Sequence, residues 1–295
     1  MEDKPLLEGK VIAVTGGANG IGRAISIALI RAGARVIVND IGVSLDGGAA
    51  SSKPAEETVK EAEALGGKAA VCLEDISTMG GGRRVVEAAL DTFGRIDGVA
   101  CLAGIARPAP LEEITEADWD KVIATHLKGH FAVIQPAVKA MNKDGGSIVA
   151  FTSTAGLDGS PAQAAYAAAK AGIIGLTRTV ALSAGPAIRC NAISPSARTR
   201  LIEKVRPEYD PGPPEKIAGI VEFLMSDLSK HITGQVIYAS GDRLALYPQP
   251  RPSKWLIGTE TWTGRSIGGV WNSAIGSDPL VRYDRYLSPR KDVVK

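Results

Sequence analysis

A tyrosine and a lysine four residues apart could together perform acid–base chemistry on an alcohol. Tyr166 and Lys170 lie within a helical pattern, and their spacing places both side chains on one face of a helix. A nearby ammonium favours the ionised phenol, whose ordinary pKa of about 10 makes it a poor base at neutral pH. Ser153, at the end of a predicted strand, could hold a substrate oxygen. Because a tyrosine and a lysine at this spacing often arise by chance, the pair gains meaning only in combination with other motifs.

A glycine-rich turn near the start of the chain predicts a dinucleotide site. Thr15–Gly22 follows the first predicted strand and opens the first predicted helix. Glycines let the backbone approach a pyrophosphate closely, and a helix N-terminus supplies N–H donors and a partial positive charge. The residues predicted to bind the cofactor here are Gly16, Asn19, Gly20, Ile21 and Gly22. The alternative, a purely structural turn, is disfavoured by the strand before it and the helix after it.

Two aspartates that follow the next strands are candidates for binding the rest of the nucleotide. Asp40 ends the second predicted strand, 18 residues after Gly22, where a carboxylate accepts hydrogen bonds from ribose hydroxyls and repels a 2′-phosphate. The glycine-rich turn contains no Lys or Arg, and Ile41 follows Asp40, so the sequence favours NAD over NADP. Asp75 and Ile76, past the third strand, could close on the adenine. Either aspartate could instead simply start a turn.

Apolar strands and amphipathic helices must position these residues, and their alternation continues to about residue 240. The predicted strands are Val11–Thr15, Arg35–Asn39, Ala69–Leu73, Gly98–Leu102, Ser147–Thr152, Ile188–Ile193 and Gln235–Tyr238. The predicted helices are Gly20–Ala32, Ala55–Leu65, Arg83–Phe93, Glu116–Met141, Pro161–Leu182 and Pro214–Asp227. Most strands are continuous apolar runs, as expected of parallel strands covered on both faces. The alternation predicts an α/β fold with a doubly wound, seven-stranded parallel sheet.

The alternation stops at residue 247. We therefore expect one domain over residues 1–246 and an irregular C-terminal extension over residues 247–295, rich in aromatic and basic residues. Within Arg251–Lys295, eight Lys or Arg outnumber four acids, so this tail carries +4 and the rest of the chain −2. The extension either packs its aromatic side chains on its own domain or a neighbouring subunit, or helps to bind an anionic substrate. In the second case Arg251 or Lys254 would contact the anion.

Composition excludes several classes of protein. A net charge of +2 creates no strong field that would attract nucleic acid or an anionic membrane. Cys72, Cys101 and Cys190 are odd in number and lie in apolar runs, so we expect buried reduced thiols rather than disulfides or a metal site. The first residues have no apolar targeting segment, and no uncharged stretch approaches the ~20 residues that span a bilayer. These features predict a cytoplasmic protein with a small-molecule substrate.

In combination, the motifs resemble those of the short-chain dehydrogenase/reductase family over about residues 7–241. The matching features occur in the family's order and spacing: the glycine-rich turn, Asp40, Asp75-Ile76, Ser153, Tyr166-x-x-x-Lys170 and Ile188–Pro195. The resemblance implies a single Rossmann-like domain in which Tyr166 is the acid/base and Ser153 orients the reacting carbonyl or alcohol. It also implies that Lys170 binds the nicotinamide ribose and lowers the pKa of Tyr166. Thr199 matches the position that holds the nicotinamide carboxamide.

Two departures from the family's pattern lie at the ends of strands. The family's Asn-Asn-Ala-Gly after the fourth strand is here Cys101–Gly104, which loses side-chain hydrogen bonds that steady the central sheet. Ala103 and Gly104 remain predicted cofactor contacts. Ser196 stands where a glycine usually follows Pro195.

His126 is a third departure, since it stands at the place of the asparagine that completes the family's catalytic tetrad. An imidazole there could anchor a water leading from Lys170 toward solvent. The alternative is a helical histidine satisfied by the core or by solvent. His126, Val38–Gly42 and Ser240–Arg243 are similar to a narrower group, the (3R)-hydroxyacyl-CoA dehydrogenase units of peroxisomal multifunctional enzymes and bacterial relatives that act on acyl-CoA or steroid side-chain thioesters.

These features predict an NAD-dependent short-chain alcohol dehydrogenase that oxidises a secondary hydroxyl, on a hydroxyacyl-CoA thioester, to a ketone. The alternative substrates are uncharged steroid, terpenoid or sugar alcohols. A non-catalytic NAD-binding subunit that pairs with an active relative is the alternative outside the enzymes, although such a subunit would not need Ser153, Tyr166 and Lys170 together. We expect a homodimer or homotetramer with no metal, nucleic-acid or membrane partner.

Overall fold

The computed structural model describes residues 4–43, 50–141, 144–198, 210–255, 257 and 261–276. The chain forms two compact units, Met1–Tyr247 and Pro248–Lys295. Within the described ranges, no helix is both long enough and apolar enough to cross a membrane.

The first unit is built on one sheet. Its strands are β1 Val11–Thr15, β2 Arg35–Asn39, β3 Lys68–Cys72, β4 Gly98–Cys101, β5 Gly146–Phe151, β6 Ile188–Ser196, β7 Val236–Ser240 and β8 Arg243–Leu246. Their order in the sheet is β3-β2-β1-β4-β5-β6-β7-β8. The strands β1 to β7 run parallel, and β8 pairs antiparallel with β7. The order reverses direction between β1 and β4, which confirms the predicted doubly wound α/β fold.

Helices cover both faces of this sheet. They are α1 Gly20–Arg31, α2 Lys53–Ala64, α3 Met79–Phe93, α4 Glu116–Ile123, α5 Gly129–Met141, α6 Ala155–Asp158, α7 Ala164–Ser183 and α8 Glu215–Met225. A π-helical turn, Ala124–Lys128, joins α4 to α5, and a 3-10 turn, Asp227–Ser229, follows α8. The second unit contains α9, Gly264–Ala274.

The central strand β1 shows why both faces are covered. Its side chains alternate, so that Ile12 and Val14 join the core cluster containing Leu29 of α1. Val11 and Ala13 join the cluster on the opposite face, formed with α3 and α5. All five residues of β1 are buried, as the continuous apolar run predicts.

All seven predicted strands are present, with ends displaced by at most a few residues, but β8, the π-helical turn, α6, the 3-10 turn and α9 are not predicted. β8 is fully exposed and only four residues long, so it carries no burial pattern that a sequence could reveal. The predicted helix Glu116–Met141 is interrupted by the π-helical turn, which shifts the helical register without a proline or glycine at its start. The extension, predicted to be irregular, contains α9, which begins with a capping box between Thr263 and Ser266.

Candidate active site

The strand register gathers the predicted site residues at the carboxyl-terminal edge of the sheet. Thr15 pairs with Asn39 on one side and with Cys101 on the other. The glycine-rich turn, Asp40 and the loop after β4 therefore leave the sheet side by side. Ser153 leaves the same edge two residues after β5. This is the point where the strand order reverses, the usual ligand position in such sheets.

The glycine-rich turn leaves no room for side chains at two positions. Gly16 has φ +67°, and a Cβ there would lie 2.9 Å from the Cα of Ala103. A Cβ on Gly22 would clash with the carbonyl oxygen of Gly16. Asn19 is the N-cap residue of α1, and Ile21 packs against the core. The start of α1 is thus held against its own turn by backbone contacts that only glycine permits.

Hydrogen bonds from neighbouring residues fasten the turn. Gly17 N–H donates to the carbonyl of Asn39 over 3.0 Å. The Ser26 hydroxyl donates to the carbonyls of Gly17 and Gly22 at 3.1 and 3.0 Å. Gly20, the first residue of α1, also has positive φ, +49°. The loop conformation is therefore fixed before any ligand contacts it.

Asp40 lies at the mouth of the turn. One carboxylate oxygen accepts a hydrogen bond from Ala18 N–H at 3.2 Å, and the other accepts from Gly42 N–H at 2.8 Å. A carboxylate held beside a cradle without side chains at Gly16 and Gly22 fits a dinucleotide, whose ribose hydroxyls would meet the acid. The residues present thus fit a dinucleotide cofactor.

The remaining predicted cofactor residues differ in accessibility. Asp75 is exposed beyond β3, and its carboxylate accepts from Ser77 N–H at 2.9 Å. The side chain of Ile76 is buried in the core, where a Cβ on Gly129 would come within 2.9 Å of it. Only the backbone of Ile76 can therefore face a ligand. Thr199 lies outside the described residues.

The end of β4 receives hydrogen bonds that the sequence comparison did not lead us to expect. The Thr15 hydroxyl accepts from Leu102 N–H at 3.1 Å and from Ala103 N–H at 3.3 Å. These bonds hold the loop, as the family's asparagine side chains would otherwise do. Cys101 is fully buried, which raises the pKa of its thiol. All three cysteines are buried free thiols, as predicted.

Ser153, Tyr166 and Lys170 are positioned by close packing of α6 and α7 on the end of β5. The Thr152 hydroxyl donates to the carbonyl of Lys170 at 2.7 Å. The Lys170 ammonium in turn donates to the carbonyl of Phe151 at 2.6 Å. A Cβ on Gly156 would lie 2.5 Å from Ala171 N, so this glycine permits α6 to approach α7.

Burial dominates the electrostatics of the pair. Burial raises the pKa of Tyr166, and the Ser153 hydroxyl, within hydrogen-bonding reach of the phenol, offsets part of this effect. Lys170 is 4% exposed, and burial lowers its pKa to about 7. Its ammonium lies 5.5 Å from the centre of the Tyr166 ring, as the i,i+4 spacing predicts. The pKa of Tyr166 is raised overall, because desolvation of the phenol outweighs the hydrogen bond from Ser153.

His126 lies in the π-helical turn, is 3% exposed and contacts both the loop after β4 and the tyrosine. Its Nε2 is 3.1 Å from Ile105 N and 2.9 Å from Ile105 O. The ring meets that of Tyr166 edge-on, with centres 5.1 Å apart and an angle of 88°. Nδ1 has no hydrogen-bond partner within the described part of the chain. A side chain on Gly104 would displace the ring.

The imidazole of His126 is uncharged at neutral pH. Burial and then the charge of Lys170 lower its pKa to about 3, against a smaller opposing effect of the Ile105 carbonyl. A proton relay that passes through a charged His126 is therefore unfavourable. The neutral ring can position Tyr166 and the loop after β4, and its free nitrogen can hold a water.

Sequence reasoning missed three supporting residues. Thr15 and Thr152 both end strands next to predicted motifs, and a hydroxyl at a strand end was the available signal. His130 is fully buried one helical turn after His126, and its i,i+4 spacing from His126 was the signal there. Ser196, noted as a departure, is the last residue of β6 and pairs with Ser240.

Comparisons with known proteins match most of the first unit. The family model described as enoyl-(acyl carrier protein) reductase matches residues 16–241. That range contains the glycine-rich turn from Gly16 onward and every candidate catalytic residue named above.

Three curated relatives are similar over most of this chain. The 3-oxoacyl-[acyl-carrier-protein] reductase FabG of Thermotoga maritima is 41% identical over 80% of this chain and 98% of its own length. Hydroxyacyl-CoA dehydrogenase ChsB1 of Mycobacterium tuberculosis is 37% identical over 83% of this chain and 81% of its own. Peroxisomal multifunctional enzyme type 2 of Mus musculus is 40% identical over 74% of this chain, but the match spans only 30% of the mouse enzyme.

A solved structure shows the same architecture. A short chain dehydrogenase from Mycobacterium avium superposes with a TM-score of 0.84 and 36% identity, covering 94% of this chain and 98% of that chain.

Proposed function

We propose an activity from the premise that this chain belongs to the short-chain dehydrogenase/reductase family, as the family model and the relatives show. It is an oxidoreductase of a family whose members use NAD or NADP. We propose, more specifically, that it oxidises the secondary hydroxyl of a hydroxyacyl-CoA thioester to a ketone with NAD.

The observation that carries this proposal is the arrangement of Ser153, Tyr166 and Lys170 beside the glycine-rich turn. Tyr166 takes the proton of the substrate hydroxyl, and Ser153 holds the same oxygen through its own hydroxyl. The Lys170 ammonium, fixed on the Phe151 carbonyl 5.5 Å from the phenol ring, stabilises the tyrosinate. When bound, the oxidised nicotinamide supplies the hydride acceptor and a further positive charge.

Asp40 supports NAD as the cofactor. Its carboxylate accepts from Ala18 N–H, and this places negative charge beside the turn that would hold the pyrophosphate. A 2′-phosphate there would face an anion, and no basic residue of the glycine-rich turn would compensate.

The names of two relatives and the charge of the tail support an acyl thioester as substrate. The Thermotoga relative is named for a 3-oxoacyl substrate carried on a protein, and the mycobacterial relative for a hydroxyacyl-CoA. A coenzyme A thioester carries several phosphate charges, and the segment Arg251–Lys295 carries +4. An uncharged steroid, terpenoid or sugar alcohol is the alternative that the test must distinguish.

Turnover with matched substrates tests the proposal. A 3-hydroxyacyl-CoA and the methyl ester of the same acid are each offered with NAD and with NADP, and reduction is followed at the nicotinamide absorbance. We expect the thioester to be preferred, and NAD to exceed NADP by at least about tenfold in kcat/KM, about 1.4 kcal/mol. Asp40→Ala should reduce that preference, whereas Asp91→Ala, at an exposed aspartate of α3 with no predicted cofactor contact, is the matched control.

The outcomes separate the alternatives. Equal use of the two cofactors contradicts the role of Asp40, and preference for the ester contradicts the thioester. No turnover of either substrate, in a folded protein that binds NAD, favours the non-catalytic subunit. Deleting Arg251–Lys295 should raise KM for the thioester more than for the ester. Since exposed ion pairs contribute about 0–1 kcal/mol each, no single basic residue should account for this effect.

A further inference from the structure

We propose that His130 is a positioning residue, which holds the backbone carrying Lys170's hydrogen-bond acceptor and the turn carrying His126. The inference rests on the proposed function, because it takes Tyr166 as the base and Lys170 as its cationic partner. His130 itself touches neither the phenol nor the ammonium through any hydrogen bond among the described residues.

One tautomer of His130 satisfies both of its ring nitrogens. Nδ1 lies 2.6 Å from the carbonyl oxygen of His126, and since a carbonyl only accepts, Nδ1 carries the proton. Nε2 is then an acceptor, and Phe151 N–H donates to it at 3.3 Å. The ring is fully buried, so water cannot replace either bond. His130 therefore connects α5, the π-helical turn and the end of β5.

Phe151 N–H has His130 as a second acceptor at the end of the β4–β5 ladder. The last paired residues of β4 and β5 are Cys101 and Ala150, and this register directs Phe151 N–H at the carbonyl of Cys101. Successive N–H groups of a strand point to opposite sides, and the next one, Thr152 N–H, donates to β6 at the carbonyl of Ile193. Phe151 N–H thus points toward β4, where it also reaches Nε2 of His130.

The two polar groups of Phe151 link the imidazole to the lysine. Its N–H is bonded to His130, and its carbonyl accepts from the Lys170 ammonium at 2.6 Å. His130 also bonds to the carbonyl of His126, and the ring of His126 packs edge-on against Tyr166. His130 thereby fixes the supports of both members of the proposed pair.

The surroundings of His130 keep its ring neutral. Burial, then the charge of Lys170 and the neighbouring His126, lower the pKa of His130 well below its ordinary value. Backbone carbonyls of His126 and Cys101 oppose this effect without overcoming it. A neutral ring keeps the lone pair on Nε2 to which Phe151 N–H donates, so the contacts should hold throughout the working pH range.

Losing the Nε2 acceptor should reach the phenol in a measurable way. Phe151 N–H would keep only the Cys101 carbonyl, and the end of β5, no longer bonded to α5, would shift. The Lys170 ammonium would then lose part of its bond to the Phe151 carbonyl, which favours its charged form. With less positive charge near the phenol, the pKa of Tyr166 should rise, and the pH at which kcat reaches half its maximum should rise with it.

Three substitutions at His130 separate its two hydrogen bonds. His130→Phe keeps the ring volume and removes both bonds. His130→Asn places an amide donor near the position of Nδ1 and loses the acceptor for Phe151 N–H. His130→Gln reaches the position of Nε2 with an amide oxygen and keeps that acceptor. Ile134→Val, one turn further along α5 and also buried, is the matched control for lost packing.

The readouts are the pH profile of kcat and a titration that needs no substrate. The tyrosinate absorbance of each protein is followed against pH, with Tyr166→Phe as the blank for the other tyrosines. We expect the Tyr166 midpoint to rise by about half a pH unit or more in His130→Phe and His130→Asn, and to stay near the wild-type value in His130→Gln and Ile134→Val. Lower thermal stability with an unshifted midpoint in folded His130→Phe and His130→Asn overturns the proposal.

If these variants do not fold, nitrogen NMR of His130 in the wild-type protein tests the proposal. We expect His130 to remain the neutral Nδ1–H tautomer from about pH 5 to about pH 9. An Nε2–H tautomer, or a ring that titrates near the ordinary histidine pKa, overturns the proposal. Full activity of Tyr166→Phe would instead refute the proposed function, and the NMR result would still decide whether His130 makes the two bonds.

Discussion

The main chain shapes one half of the site, and side chains shape the other. The cofactor half, Thr15–Asp40, is shaped by backbone, with glycines packed against neighbouring main chain and N–H groups and carbonyls bonded to each other. The catalytic half, Ile105–Lys170, depends on buried side chains that can titrate, chiefly His126, Tyr166 and Lys170. Substitutions that add atoms should therefore disrupt the cofactor half. Substitutions that remove polar groups should disrupt the catalytic half.

Backbone strain follows the same division. In the cofactor half, positive φ falls on glycines, +67° at Gly16 and +49° at Gly20. In the catalytic half it falls on Gly145 and Gly159 and also on an alanine, Ala162 at +56°, just before α7. The carbonyl of Ala162 accepts from Ala109 N–H at 3.0 Å, so the strained residue ties the loop after β4 to the start of the helix that carries Tyr166. A non-glycine residue in this region is costly and occurs where the surroundings impose it.

Tyr166→Phe should have the largest effect, because it removes the one proton acceptor and leaves the ring in place. We expect turnover to fall by a factor of roughly 10² or more, while NAD affinity, set in the cofactor half, changes little. Steady-state kinetics and a binding titration of the same preparation measure the two quantities. A variant that keeps most of its activity would assign the base to another residue.

Gly22→Ala should break the cofactor half with a single methyl group. Its Cβ would clash with the Gly16 carbonyl, which is backbone and cannot swing aside. We expect NAD affinity to weaken by at least about tenfold, or 1.4 kcal/mol. Gly219→Ala is the control, since that exposed glycine of α8 has nothing within 4 Å of a new Cβ. Unchanged affinity in Gly22→Ala would mean that the turn moves more easily than its contacts indicate.

His126→Ala should have a smaller effect, because the ring acts through Tyr166 and Ile105. We expect kcat to fall several-fold, and His126→Asn to recover part of it. Water admitted beside the phenol would relieve the burial that raises the pKa of Tyr166, so the rise of kcat should move to lower pH. The pKa of His126 is about 3, so its own loss removes no titrating group near neutrality. Wild-type kinetics in both variants would make His126 a packing residue.

Ala162→Gly should have the smallest effect, and it should stabilise the protein rather than impair it. Relief of an unfavourable φ outweighs the greater freedom of glycine in the unfolded chain, so the free energy of unfolding should rise by up to about 1 kcal/mol. Urea denaturation measures it, with Ala168→Gly in the exposed face of α7 as a destabilising control. A loss of stability as large as the control's would show that the native φ is not strained.

The local structure of the cofactor half could be predicted from sequence, whereas its contacts with NAD stay predictions. Glycine spacing after an apolar strand identifies the turn, and Asp40 follows from its place at the end of the next strand. These signals are local, because each residue acts within a few positions of the strand that carries it. The placement of Asp40 beside Ala18 N–H agrees with that prediction.

The catalytic half could be predicted only in part. The i,i+4 spacing correctly places the Lys170 ammonium near the Tyr166 ring, yet the pKa of the phenol is raised, because burial depends on residues distant in sequence such as Ile105 and Val122. His130 shows the same limit, since its partner Phe151 is 21 positions away and no local pattern in the sequence reveals the contact.

The contact between Gly16 and Ala103 has a consequence for synthesis of the protein. The turn emerges from the ribosome well before one of its walls, the loop after β4, and on that side β1 is flanked by β4 rather than by a strand close in sequence. Pairing over such a long separation forms slowly. Until residue 103 has emerged and β4 has docked, a nascent chain has β1 exposed along one edge and an unfinished cofactor cradle. Cofactor therefore cannot assist the earliest steps of folding, and chaperones that recognise apolar strands would meet this edge first.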